Sequence, residues 1–161
     1  MKFYNKFLVG LLLFAFSLTC VYAVEITKFS KSFQKAFKDC DRYEETVNSE
    51  FEGRQFSTNR KIKGWRNGFC DYQEIISSGN EKYQLNCGFT GVQVDELTEA
   101  MKDRSRDIIK HELDVFTEQV DPKKGEIRYV VAGTTTIKGN KAFVTWAKYQ
   151  NNPYFCRRKK I

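Results

Sequence analysis

Four cysteines, Cys40, Cys70, Cys87 and Cys156, lie beyond an apolar N-terminal stretch, and cross-links between them would restrict this chain more than any propensity pattern in it. Whether they can form depends on where the chain goes. Lys2 and Lys6 precede the run "FLVGLLLFAFSL", and "VYA" then offers Val21 and Ala23 at the small-residue positions of a secretory cleavage site. Thr19 and Cys20 interrupt the run and Glu25 ends it; a retained membrane helix needs roughly 20 apolar residues. Lipoprotein processing before Cys20 is disfavoured by Leu18 and Thr19, which are poor small-residue positions. The expected organisation is therefore a signal peptide over residues 1–23 and one secreted or periplasmic domain over residues 24–161, with no transmembrane segment after cleavage.

Removing that leader discards Cys20 and leaves an even set of thiols in an oxidising compartment, which points to two disulfides. Four cysteines admit three pairings. Turn geometry leans towards one of them: Cys70 and Cys87 are symmetric about Ser78-Gly79, and a two-residue hairpin there would set them opposite each other, within bridging reach. The expected bridges are Cys70 with Cys87 and Cys40 with Cys156. A metal centre is disfavoured, because no C-x-x-C pair occurs and His111 is the only histidine. "DVFTEQVDPKKGE" lacks the alternating oxygen ligands of a calcium loop. No cofactor is expected.

The period of apolar residues sets the fold class. Phe29, Phe33 and Phe37 recur every four residues, with Ile26 and Cys40 on the same stripe, as on one face of an amphipathic helix. From Tyr43 to Phe89 the period shortens, and turn signals at Gly53, Asn67-Gly68 and Gly79 divide a four-stranded antiparallel meander. In the expected register Trp65 faces Cys70, and Lys63 and Lys61 fall opposite Tyr72 and Glu74, unless a bulge shifts them. Thr90 and Gln93 form a capping-box signature, with Phe89 and Val94 as a hydrophobic staple. Val94, Leu97 and Met101 continue that helix, and Ile109, Leu113 and Phe116 resume its stripe, so a helical region is expected there. "VDPKKGEI" is a turn and "IRYVVAGTTTI" a strand. In the last segment Phe143, Trp146, Ala147 and Gln150 fit a helix while Ala142, Val144 and Trp146 also fit strand alternation; Asn140 as a cap and "NNP" as a stop favour the helix. The fold class is α+β: an N-terminal helix on a four-stranded meander, then a helical region and a mixed C-terminal segment.

Losing Lys2 and Lys6 lowers the formal charge of +7 by two, so the domain remains mildly basic. Its cations cluster at residues 60–66 and in the tail Arg157, Arg158, Lys159 and Lys160. Such patches can meet anionic envelope components, although a solvated face and a frayed tail are the plainer reading. Nucleic acid is disfavoured in a secreted chain, despite Phe56, Trp65 and Phe69 among the charges.

The stretches "KDCDRYEE", "KIKGW", "CDYQE", "NCGFT" and "WAKYQNNPYFC" resemble a loose group of small secreted bacterial proteins of unassigned function. The resemblance implies a leader-bearing α+β domain with disulfides, and it supplies neither an activity nor catalytic residues.

No catalytic set stands out. His111 lies in a charged stretch without a G-x-S-x-G partner, and there is no glycine-rich phosphate loop. The leading expectation is a non-catalytic binding or envelope-associated protein, whose partner is another protein or an anionic envelope component. Its contact residues would be Trp146, Tyr149 and Tyr154 with Arg157, Arg158, Lys159 and Lys160; aromatics and arginines are frequent interface anchors. The alternatives are a secreted hydrolase or lyase using Glu74 and a tyrosine, for which a raised carboxyl pKa in a cleft would be the sign, or an inhibitor of extracellular hydrolases.

Overall fold

The computed structural model describes residues 24–25, 27–51, 53–105 and 107–161. The leader, Cys20 and Ile26 lie outside the described residues. The elements run β1 (Val24–Glu25), α1 (Lys31–Asp39), β2 (Tyr43–Phe51), β3 (Arg54–Arg66), β4 (Phe69–Ser78), β5 (Glu81–Phe89), α2 (Gly91–Lys102), β6 (Ile109–Val120), β7 (Ile127–Gly139), α3 (Lys141–Gln150) and β8 (Cys156–Lys160).

The phenylalanine stripe forms its helix. Ser30 caps α1, its Oγ accepting from the Phe33 amide at 2.9 Å, and Cys40 ends it in the left-handed region. Phe33 and Phe37 are fully buried, while Phe29 precedes the cap and packs against the core. The capping box at Thr90 forms as expected: its Oγ1 accepts from the Gln93 amide and the Gln93 side chain accepts from the Thr90 amide. Thr90→Ala should therefore cost about 1 kcal/mol, read as a lower denaturant midpoint with an unchanged m-value.

β2 to β5 form the antiparallel meander, and β8 adds a fifth strand against β5, giving the order β2-β3-β4-β5-β8. The basic tail is thus an edge strand and not a frayed end. Asn67 and Gly68, both at positive φ, make the two-residue turn that sets Trp65 opposite Cys70. Beyond it, a bulge between Ile62 and Gly64 takes up Lys63 as the extra residue. Ile62 then faces Tyr72, Lys61 moves to Gln73 and Arg60 comes to face Glu74. A one-residue shift exchanges faces, so the bulge turns Lys61 away from the core and brings Arg60 towards it.

The next turn is centred on Gly79-Asn80, one residue later than expected, because Ser78 pairs with Glu81. Cys70 consequently faces Phe89, and Cys87 faces Tyr72. This overturns the expected pairing. The bridges are Cys40–Cys70, tying the end of α1 to β4, and Cys87–Cys156, tying β5 to β8.

The expected helical region also gives way. Residues 109–120 are β6, paired antiparallel with β7 in a long ribbon. The Ile109, Leu113 and Phe116 spacing fits a helix, yet the adjacent β-branched segment offers a full ladder of backbone partners, and tertiary pairing outweighs so sparse a stripe. The connecting turn is held by Asp121, whose carbonyl and Oδ1 accept from the Gly125 and Lys123 amides. β1 adds two parallel residue pairs to β7.

All three helices contribute to one core on the sheet's inner face. Trp146 of α3 is its hub, with ring centroids 5.1 to 5.2 Å from those of Phe29, Phe37 and Tyr72 and 5.8 Å from that of Phe89. α3 is capped by Asn140, whose Oδ1 accepts from Phe143 and whose Nδ2 donates to the Thr27 carbonyl. No helix among the described residues is long and apolar enough to cross a membrane.

Candidate functional site

Because directly opposed residues share a face, the strand registers place Glu45, Arg60, Glu74, Leu85 and Arg158 in one row across the inner face. The adjacent row, Tyr43, Ile62, Tyr72, Cys87 and Cys156, belongs to the hydrophobic core or packs directly against it. The charged row therefore runs along the margin of that core, under the end of α3.

Within this row Glu74 is only 5% exposed. Tyr72 Oη donates to its Oε1 at 2.5 Å, and Gln150 Nε2 of α3 donates to its Oε2 at 2.9 Å. The Arg60 guanidinium lies between two carboxylates, with Nε 3.5 Å from Glu74 Oε1 and Nη1 3.7 Å from Glu45 Oε1. It also lies over the Phe29 ring, 4.6 Å from the centroid. Ser30 Oγ, the cap of α1, donates to Glu45 Oε2 at 2.6 Å. Burial pushes the Glu74 carboxyl above the ordinary carboxylate range, against the opposing pull of Arg60, Tyr72 and Gln150. Burial, reinforced by the charge of Glu74, also raises the Tyr72 hydroxyl well above its usual value.

This is the carboxylate–tyrosine pair with a raised carboxyl pKa that a hydrolytic reading calls for, but it faces inward. Both Glu74 oxygens are already engaged by side chains of the core, and the hydroxyl beside it stays protonated, so neither group is presented to a substrate.

The open space lies on the far side of Gln150. A cavity of about 470 Å³ is bounded by Gln150 and Asn151 at the end of α3, Pro153 in the following loop, Cys156 to Arg158 of β8, and Leu113 to Phe116 with Glu118 of β6. Arg157 and Arg158 stand on the β8 side, Asp114 and Glu118 on the ribbon side. Among the described residues none of these four makes an ion pair. Opposite charges thus border one space without meeting across it.

The structure divides the expected contact residues. Trp146 and Tyr149 are buried; Trp146 packs the core, and burial, reinforced by the hydrogen bond its hydroxyl donates to Glu96, raises the Tyr149 pKa. Neither is presented to a partner. Tyr154 is exposed and packs edge-on against Phe116 and Tyr129 of the ribbon, bracing the wall of the cavity. Arg157 and Arg158 line the cavity, Lys159 is exposed in β8, and Lys160 pairs with Glu81 at 2.9 Å. His111 is exposed on β6.

Asp114, Glu118 and Gln150 were missed by sequence reasoning. Asp114 and Glu118 were hidden by the helical reading of residues 109–120, and no local pattern marks Gln150, whose role arises from the docking of α3 beside β4. Among the described residues no group of three or more histidine, cysteine or acidic side chains could hold a metal ion. No family model, curated protein or solved structure matches the chain.

Proposed function

We propose that this protein is an exported, non-catalytic binding domain, and that its ligand sits in the cavity between β8, the end of α3 and the β6–β7 ribbon. The observation that carries the reading is the pair of oppositely charged walls, Arg157 and Arg158 against Asp114 and Glu118, held around about 470 Å³ without an ion pair between them. Ligand sites commonly fall between roughly 300 and 1,000 Å³ and combine apolar lining with a few placed polar groups. Leu113, Val115, Phe116 and Pro153 supply the apolar lining here.

Two disulfides support export, since such bridges persist in oxidising compartments, as does the leader sequence. Likeness to small secreted proteins of the resembled group belongs to the same proposal. Glu74 supports the non-catalytic side, because among the described residues it is the one carboxylate with a raised pKa, and it is sealed inside.

Amide spectra of the isotopically labelled, disulfide-bonded protein test this. Three probes suffice: a peptide digest of envelope proteins, phosphatidylglycerol vesicles and an acidic polysaccharide. One probe class should shift residues 113–116 and 156–158 together and be recovered chemically unchanged. Silence of those residues towards all three, or turnover of the bound probe, would overturn the reading.

A further inference from the structure

We infer that the cavity's occupant is an extended polypeptide strand carrying both charge signs, added to the open edge of β8. This deepens the reading above and rests on it.

The first support is the hydrogen-bonding pattern of β8. Gly88 donates to the Phe155 carbonyl and Ile161 to the Lys82 carbonyl. With the register that pairs Asn86 with Arg157 and Gln84 with Lys159, the alternation of an antiparallel ladder directs Arg157, Lys159 and Ile161 towards β5. The backbone amides and carbonyls of Arg158 and Lys160 therefore point the other way, and no strand among the described residues pairs with that side of β8. Natural proteins usually blunt such an edge, and charged side chains are one means of doing so. Here the edge borders a cavity, an arrangement that strand-adding recognition uses.

The second is how the cavity meets its walls. Side chains of a strand alternate between faces, yet the cavity touches Cys156, Arg157 and Arg158 of β8 in succession, so it reaches the edge of that strand. On the ribbon side it touches β7 as well as β6, at Tyr129, Thr135 and Ile137, so the ribbon closes the space with its face. β8 ends the five-stranded sheet, and a strand laid beside it finds backbone partners along that edge. β8 spans Cys156 to Lys160, which at about 3.3 Å per residue accommodates roughly five residues of an added strand.

The third is charge. Arg158, on the inner face with Leu85, favours a carboxylate, and the acidic residues of β6 that border the space, Asp114 and Glu118, favour a cation, so a segment bearing both signs is favoured over a uniformly acidic or basic one.

The probe is a synthetic nine-residue peptide in which valine alternates with glutamate and lysine, capped at both ends. Two further versions carry N-methyl groups at the odd or the even residues, which keeps charge and side chains but removes backbone donors. The unmodified peptide should bind, and the Arg158 and Lys160 amides should gain at least tenfold protection from hydrogen exchange, while Arg157 and Lys159, already paired with β5, change little. The version whose methyl groups fall on the residues facing β8 should bind at least tenfold more weakly than the other two peptides, and Arg157→Glu with Arg158→Glu should weaken the unmodified peptide at least tenfold. Equal binding of all three peptides, or protection gained equally by all four amides, would overturn strand addition. If the peptide leaves the cavity untouched while vesicles or polysaccharide shift it, this inference fails and the binding reading stands. If nothing shifts it, both fail.

Discussion

Replacing Cys87 and Cys156 together by alanine is expected to lower stability by about 4 kcal/mol, the loop-entropy contribution of a bridge joining residues 69 apart. The effect has a local component as well as a global one. β8 is held by β5 on one side only, and Cys156 enters the core beside Cys87 at the start of that pairing. Without the bridge, the amides of Arg157 and Lys159 should lose hydrogen-exchange protection before the meander does. The matched variant lacking Cys40 and Cys70, 30 residues apart, should lose a similar amount in a urea melt but keep β8 protected. Joint removal of Cys70 and Cys87 discriminates the pairing. It strands Cys40 and Cys156 as free thiols in separate parts of the core, so thiol titration should find two; a titration finding none would mean that Cys40 and Cys156 bridge each other.

How these bridges were missed shows what the sequence carried. Asn67-Gly68 is a turn whose φ preferences specify one register, and Trp65 does meet Cys70. Ser78-Gly79-Asn80 contains one glycine and two residues that can flank it, so the turn could slide; by sliding it moved Cys87 from Cys70 to Tyr72. The slide changes the register by two, which preserves the inward face, so of the face expected from Trp65, Cys70, Tyr72, Ile76, Tyr83, Leu85 and Cys87, the residues Cys70, Tyr72, Leu85 and Cys87 are buried despite the incorrect pairing, while Trp65 is exposed. The capping residues of α2 and α3 were legible because a cap is a local bond between residues three apart; the cap of α1, Ser30, was not singled out. The ribbon was not, since β6 becomes a strand only through β7. The charged row needs more again: Glu45, Arg60, Glu74 and Arg158 come from four strands and align only once the bulge at Lys63 is known.

Arg60→Met should be among the most destabilising single substitutions in the domain, and its cost should depend on pH. Methionine keeps the apolar stem against Phe29 but removes the cation from between Glu45 and Glu74. Breaking a buried ion pair from one side costs about 3–5 kcal/mol, because the two carboxylates remain buried without a neutralising cation. The Glu74 carboxyl is already raised by burial, and Arg60 is the largest influence opposing that rise, so its removal raises the carboxyl further. A folded-state pKa above the unfolded one means that the folded protein holds a proton the unfolded chain has released. The associated stability is complete below the unfolded carboxyl value and is lost as pH rises through the folded one. The deficit of the variant relative to the parent should therefore be largest at pH 7.5 and shrink towards pH 5 in paired urea melts. The exposed carboxylates Glu44, Glu81 and Glu99, lowered by their lysine partners, act in the opposite direction but are common to both proteins and cancel in the difference. Phe33→Ala, a packing loss of about 3–5 kcal/mol at a fully buried ring, should show no such slope. Glu74→Gln added to Arg60→Met should remove the slope by leaving no proton to bind, whereas a deficit that stays flat with pH in the single variant would show that Glu74 does not carry the cost.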